Sequence, residues 1–85
     1  QPTAILRFAL PAQGGLAHFD AGDLLGIVPP GSSVPRYYSL ASGWQDGFVE
    51  ICVRQMPGGL CSTHLLGLVP GGSVQAFVRP NPGFA

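Results

Sequence analysis

Residues 35–42 read PRYYSLAS, an arginine followed by two aromatic rings and a hydroxyl. Aromatic side chains favour strands, so we expect a strand over residues 37–41. Alternate residues of a strand share a face, so Arg36 and Tyr38 point one way while Tyr37 and Ser39 point the other. A guanidinium binds phosphate oxygens, an aromatic ring stacks on a planar heterocycle, and a hydroxyl donates to a ring nitrogen. The combination suits a flavin nucleotide. The alternative is that Tyr37 and Tyr38 are ordinary side chains of a barrel and that Arg36 is a surface cation.

A second candidate motif follows at residues 57–65, which read PGGLCSTHL. A glycine pair lets the backbone approach a ligand closely, and a helix after it presents free N–H groups at its positive end. Such a site suits a pyrophosphate, held by backbone amides and the Ser62 hydroxyl, with Arg36 supplying the compensating charge. An ordinary glycine turn before a capped helix is the alternative explanation.

Short strands and turns are predicted for the rest of the chain. The 13 glycines and 9 prolines separate short runs rich in β-branched, aromatic or leucine residues, a spacing typical of strands and turns. The one plausible helix begins at Ser62-Thr63, is capped by a hydroxyl, and ends at Gly67. An all-β fold is expected, a small antiparallel Greek-key barrel with one short α-helix, because closure removes exposed edges; an open meander is the alternative. The other predicted strands are 3–10, 24–28, 47–54 and 73–78, and the turns are 13–15, 29–31, 45–47, 57–59 and 70–72.

The composition limits the classes of function. Hydrophobic residues make up 46% of the 85 residues and charged residues only 9%, against about one quarter in ordinary soluble domains. A cofactor, a neighbouring domain or an oligomer is therefore expected to cover part of the surface. The net charge is zero and lysine is absent, which argues against nucleic-acid binding.

The cysteines and histidines point to neither a disulfide scaffold nor a metal site. Cys52 and Cys61 are expected to be reduced thiols, since two cysteines do not make a dense disulfide framework. His18 and His64 are too few and too far apart in sequence for a metal site. No apolar run approaches the roughly 18 residues of a spanning helix, so no membrane span is expected in this segment.

Taken together, the two motifs resemble the FAD-binding barrel of the ferredoxin–NADP reductase superfamily. The family's Arg-x-Tyr-Ser signature appears at residues 36–39 and its Gly-x-Cys-Ser signature at residues 59–62, with a strand between them. Residues 49–54, VEICVR, are similar to the family's middle flavin-contacting strand, and residues 19–29 resemble the strand and glycine turn before the cofactor. The resemblance covers nearly the whole chain.

Within the superfamily, residues 35–38 (PRYY) and 79–84 (RPNPGF) look most like bacterial sulfite reductase flavoprotein and cytochrome P450 reductase-type proteins. Those diflavin enzymes carry a helical connecting domain before the Arg-x-Tyr-Ser strand, whereas only residues 30–35 stand there in this chain. In this respect the sequence is closer to the compact plant-type arrangement.

The resemblance implies a role for each motif residue. Arg36 would pair with the pyrophosphate, Tyr38 would stack on the isoalloxazine, and Ser39 would lie near flavin N5, where hydride arrives, as the catalytic residue. Arg54 is also a candidate contact to the nicotinamide nucleotide. Cys61 is interpreted as a structural thiol. The implied cofactor-binding residues are Arg36, Tyr37, Tyr38, Ser39, Cys52, Val53, Arg54, Gly59, Leu60, Cys61 and Ser62.

The implied function is the FAD-binding module of an NAD(P)H-dependent flavoprotein oxidoreductase that passes electrons to a one-electron acceptor. The expected partners are NAD(P)H, bound by a nucleotide-binding domain that normally begins after a segment like residues 78–84, and a redox protein or domain. Residues 1–85 would form one FAD-binding barrel domain of a larger cytoplasmic or membrane-associated flavoprotein, inactive alone because hydride transfer needs both rings in contact. A non-enzymatic structural or interaction barrel within an assembly is the alternative, and an oligonucleotide binder would need more basic residues.

Overall fold

The computed structural model describes residues 3–10, 18–54, 58–68 and 72–81. These residues form mainly antiparallel β-structure with one short helix, as the sequence predicted. No helix in the described part of the chain is long and apolar enough to cross a lipid bilayer. The elements are β1 (Thr3–Ala9), β2 (Leu24–Val28), β3 (Arg36–Ser39), a 3₁₀ turn (Trp44–Asp46), β4 (Phe48–Arg54), α1 (Leu60–Leu66) and β5 (Gln75–Arg79).

Two antiparallel sheets form the body of the molecule. β1 pairs with β4 along its whole length, and β2 lies between β3 and β5. The sheets meet at a single bridge between Leu40 and Ile51, beside which the Ala41 N–H donates to the Glu50 carbonyl (2.8 Å). The spatial order is therefore β1-β4-β3-β2-β5. Within the described residues no pairing joins β1 to β5, so closure into a Greek-key barrel stays a prediction.

Strand alternation places the core between the sheets. Val49, Ile51 and Val53 of β4 face inward at every second position, while α1 packs on β4 and contributes Cys61 and Leu65 to the same cluster. These apolar side chains are almost fully removed from water. The burial of apolar surface is the largest favourable term in folding.

β2 is buried on both faces because an aromatic ring covers its outer side. A Cβ atom at Gly26 would overlap the Phe77 ring, so glycine at this position lets the ring lie against the strand. Leu25 and Ile27 face the core on the other side, with 1% and 0% exposure. This close packing of Phe77 on Gly26 holds β5 against β2, the middle strand of its sheet.

The start of the helix differs from the prediction. α1 begins at Leu60 rather than Ser62, and its N-cap is Gly59, which has no side chain to act as a cap. The Ser62 hydroxyl lies within the first turn and donates to the Gly59 carbonyl (3.4 Å). The predicted hydroxyl cap is therefore wrong, because an extended glycine (φ −77°, ψ 109°) already makes the helix entry.

The predicted turns that fall within the described residues are present. At residues 29–32 the Ser32 N–H donates to the Pro29 carbonyl (3.2 Å), and Gly31 takes a positive φ of 80°. Proline and glycine at the two central positions are typical of a type II turn. The predicted turn at 13–15, that at 70–72 except Gly72, and Pro57 of the turn at 57–59 lie outside the described residues.

Candidate cofactor site

The candidate site is a split in the sheet between β3 and β4, which we call the seam: β3 and residues 52–54 of β4. β3 pairs with β2 on its other edge, and β4 with β1. Beyond the Leu40–Ile51 bridge no described ladder joins the two facing edges, although the strands stay in contact. Continuing the register of the bridge sets Cys52 beside Ser39 and Arg54 beside Tyr37. Facing backbone groups outside a ladder need other partners, so the seam can offer hydrogen bonds to a flat polar ligand.

Tyr38 joins the two sequence motifs. It lies opposite Leu25 on β2 and packs, half-buried, against the core cluster that includes Cys61. Burial raises the pKa of the Tyr38 hydroxyl well above its ordinary value, and a hydrogen bond with the Cys61 thiol raises it further. The Arg-x-Tyr-Ser strand and the Gly-x-Cys-Ser helix are therefore in direct contact.

Arg36 supplies positive charge near this contact. It is exposed, and its charge acts on the Tyr38 hydroxyl by lowering the pKa of that group, against the larger effects of burial and Cys61. Among the described residues the one ion pair is Arg7–Glu50 (2.6 Å), which lies in the other sheet. Arg36 therefore has no carboxylate partner within the described part and can pair with an anionic ligand.

Tyr37 and Ser39 lie on the outer face of β3. The Tyr37 ring meets Phe77 edge-on, with centroids 5.9 Å apart, and the Arg79 guanidinium lies 5.4 Å from its centroid. Ser39 is exposed and lies opposite Leu24. Thus the Ser39 side chain is accessible, while Tyr37 packs toward β5 rather than toward α1.

Residues 52–54 divide between the two faces of β4. Cys52 and Arg54 are exposed, whereas Val53 has 0% exposure and belongs to the core. Val53 can therefore reach a ligand through its backbone alone. The inward alternation of Val49, Ile51 and Val53 was the signal in the sequence that could have shown this. Both cysteines are free thiols, as predicted.

A glycine turn forms the entry to α1, just before Cys61. Gly58 takes a positive φ of 71°, a conformation that favours glycine, and Gly59 is extended. Cys61 and Ser62 are buried, at 2% and 5% exposure. Cys61 thus supports Tyr38 rather than presenting its thiol to solvent, and the side chain of Leu60 lies outside the described part.

A separate apolar cleft of about 250 Å³ lies between β1 and β5. None of the residues predicted to bind a cofactor lines it. The seam exposes the polar and cationic side chains of Arg36, Ser39 and Arg54, in keeping with a ligand that is anionic and carries its own large aromatic system. The cleft is lined by Phe8, Ala9, Leu25, Val49, Gly72, Ser73, Val74 and Ala76.

Comparison with known proteins decides between the flavin interpretation and the non-enzymatic one. Residues 1–80 match the family described as the oxidoreductase FAD-binding domain. The chain belongs to this family. The predicted recognition, the FAD cofactor and the oxidoreductase class are therefore confirmed for this FAD-binding domain.

Two curated relatives of the domain are components of electron-transfer systems. It is 35% identical over 66 residues to the toluate 1,2-dioxygenase electron transfer component of Pseudomonas putida, an alignment covering 78% of this chain and 20% of that protein. It is 41% identical over 61 residues to the reductase subunit of an aromatic O-demethylase from Amycolatopsis sp., covering 68% and 18%. The chain thus spans about one fifth of the length of these relatives. No solved structure matches it.

The narrower resemblance to sulfite reductase flavoprotein and cytochrome P450 reductase-type proteins gains no support from these two names and stays a prediction.

The residues at the seam fit FAD. Arg36 offers a charge for the pyrophosphate, and both Arg36 and Cys61 of α1 act on the hydroxyl of Tyr38, which offers an aromatic ring. The open edges of β3 and β4 offer backbone partners for the polar atoms of the ring system. This arrangement satisfies both parts of a dinucleotide, the anionic bridge and the flat heterocycle.

Proposed function

We propose that this domain is the FAD-binding module of an NAD(P)H-dependent reductase that delivers electrons singly to a redox partner protein or domain. The observation that carries the proposal is the contact between Tyr38 and Cys61, which brings the two signature motifs together at the seam. The two relatives support it, because one is an electron transfer component and the other a reductase subunit. The non-enzymatic barrel has no comparable support.

Bound FAD supplies the conversion between two-electron and one-electron chemistry, since it takes hydride from a nicotinamide nucleotide and releases the electrons one at a time. The chain's own residues bind and orient it. Arg36 neutralises the pyrophosphate, Tyr38 stacks on the isoalloxazine, and Ser39 donates its hydroxyl hydrogen bond to N5. Because Tyr38 packs half-buried against the core cluster that includes Cys61, its ring has limited freedom to move when the flavin binds.

The remaining seam residues complete the cradle in this proposal. Cys52 and Arg54 approach the flavin with their side chains and Val53 with its backbone, and Arg54 also lies toward the nicotinamide nucleotide. Gly59, Cys61 and Ser62 surround the pyrophosphate at the entry to α1, together with Leu60. Residues 1–85 act as one FAD-binding domain of a longer protein, whose further part holds the nicotinamide nucleotide. A cytoplasmic location stays a prediction.

Anaerobic stopped-flow reduction of the full-length, FAD-loaded protein tests this function. NADH or NADPH should bleach the flavin, and Ser39→Ala should keep its flavin while slowing reduction by about tenfold or more. Roughly 1.4 kcal/mol of stabilisation that is gained only in the transition state corresponds to a factor of ten in rate.

Ser73→Ala is the matched control, because Ser73 is also an exposed hydroxyl but lies at the β1–β5 cleft. It should leave the rate unchanged. A protein that binds FAD yet is reduced by neither nucleotide would disprove the proposed function. An unchanged rate of flavin reduction in Ser39→Ala would show that Ser39 only packs the strand and takes no part in the reaction.

A further inference from the structure

The turn at residues 20–23 holds the segment that follows β5. The Asn81 N–H donates to one carboxylate oxygen of Asp23 (3.3 Å), and the Asn81 side-chain amide donates to the Gly22 carbonyl (3.2 Å). The other Asp23 oxygen accepts the Asp20 N–H (3.0 Å), and the Asp23 N–H donates back to the Asp20 carbonyl (3.0 Å). The Asp23 side chain thus fixes the turn and the exit from β5 together.

The same turn is bonded to the end of β3. The Gly22 N–H donates to the Leu40 carbonyl (2.8 Å), and the Leu40 N–H donates to the Asp23 carbonyl (2.7 Å). Leu40 directly follows Ser39 and forms the bridge to Ile51 at the head of the seam. Asp23 therefore links the Ser39 end of the candidate site to the chain beyond Arg79, two regions that are far apart in the sequence.

We propose that Asp23 and Asn81 form a clasp that positions the chain leaving β5 relative to the flavin site. The inference rests on the proposed function, in which a further part of the reductase holds the nicotinamide nucleotide. Hydride transfer requires the two rings to meet in a narrow geometry, and a displacement of about 1 Å can cost roughly 100-fold in rate. Asp23 and Asn81 are thus positioning residues, which touch neither the flavin nor the nucleotide.

Local chemistry makes the clasp stiff. Pro80 fixes its own φ and, like Pro82, has no N–H, so Asn81 supplies the only backbone donor among residues 80–82. That donor is used on Asp23. Both side chains are partly buried, which limits competition from water. Asn81 also donates two separate hydrogen bonds, one from its backbone and one from its side chain, and together they resist a rotation of the segment that one bond would allow.

Two variants of the full-length, FAD-loaded protein test the clasp. Asn81→Ala removes the donor to Gly22, and Asp23→Asn leaves one amide oxygen for two backbone donors. Each should keep FAD affinity within about twofold but slow flavin reduction at saturating nucleotide by about tenfold or more. Each should also weaken the long-wavelength charge-transfer absorbance of the nicotinamide–flavin complex, which reports how the rings overlap.

Asp46→Ala is the matched control. Its carboxylate accepts the N–H of Gly43, also three residues before it (2.8 Å), but among the described residues it makes no hydrogen bond to the exit from β5. It should leave the rate and the charge-transfer band unchanged. Unchanged values in Asn81→Ala and Asp23→Asn would overturn the clasp, and so would equal losses in Asp46→Ala, since these would indicate general destabilisation.

Failure of the proposed function is recognised separately, as an FAD-loaded wild-type protein that no nicotinamide nucleotide reduces. In that case amide exchange decides whether the clasp exists. The Asn81 amide should be protected in the wild type and exchange at least about tenfold faster in Asp23→Asn, with Leu40 still protected. An unprotected Asn81 amide in the wild type would overturn the clasp.

Discussion

The positive charge of Arg36 makes the sharpest prediction for a single residue. Arg36→Ala should weaken binding of FAD far more than binding of riboflavin, because in the proposed site the guanidinium neutralises a pyrophosphate that riboflavin lacks. Losing one partner of a desolvated pair costs about 2 to 5 kcal/mol, and the exposure of Arg36 favours the lower end. Fluorescence titrations with FAD, FMN and riboflavin measure the difference.

Arg7→Ala controls for net charge. Arg7 pairs with Glu50 and lies 4.4 Å from the Phe48 ring centroid in the β1–β4 sheet, so its removal changes the charge without reaching the seam. FAD affinity should be nearly unchanged in this variant. Equal losses of FAD and riboflavin in Arg36→Ala would contradict the assignment of Arg36 to the pyrophosphate.

The sequence predicts the faces of single residues but not their distant partners. Strand alternation separates Tyr38 from Tyr37, and the structure places Tyr38 against the core and Tyr37 on the outer face. The partners, Cys61 and Phe77, lie far along the chain, and no local pattern pairs them. The clasp residue Asp23 was missed for the same reason, because its partner Asn81 is 58 positions away.

Strands were easier to predict than the helix entry. Strand bounds depend on composition and on glycine and proline punctuation, which are local, and β2 was predicted with its observed limits, Leu24–Val28. β5 begins at Gln75 rather than residue 73. The turn at 45–47 was predicted, but its 3₁₀ geometry over Trp44–Asp46 was not, although Asp46, which accepts the Gly43 N–H, is a local signal for it.

The contact between β3 and α1 predicts a pH dependence of stability. Burial and the Cys61 hydrogen bond raise the pKa of Tyr38 in the folded state above its unfolded value of 10.0. Below the unfolded pKa both states hold the proton, and this contribution to stability is fully present. Above it, the unfolded chain loses the proton first, so stability should fall by up to about 1.4 kcal/mol per pH unit.

Thermal unfolding of wild type and Tyr38→Phe between pH 8 and pH 11 should show this loss in the wild type and a smaller one in the variant. Tyr37→Phe is the matched control, because Tyr37 is 41% exposed and lies on the opposite face. It should retain the wild-type slope. A Tyr38→Phe protein as sensitive to alkali as the wild type would show that other groups cause the loss.

The split between the sheets is a property of the whole molecule. The low fraction of charged residues indicated that something covers part of the surface. It did not indicate which part, because the register of β3 against β4 depends on residues on both sides of the 3₁₀ turn. The structure places the split at β3 and residues 52–54, and it also contains an apolar cleft between β1 and β5. To decide whether the cofactor binds at the split or in the cleft, binding must be measured along the whole chain.

Amide exchange with and without FAD makes that comparison. FAD at about 100 times its Kd stabilises the folded protein by roughly 2.7 kcal/mol, so every amide that exchanges through global unfolding slows by the same factor. The informative amides are those that exchange through local opening. Among these, FAD should protect residues 36–39, 52–54 and 58–62, whereas riboflavin should protect the first two segments without the third, since it has no pyrophosphate for the entry to α1. Protection confined to residues 8–9 and 72–76 would instead place the cofactor in the β1–β5 cleft, and the seam would then be a fold feature without a ligand.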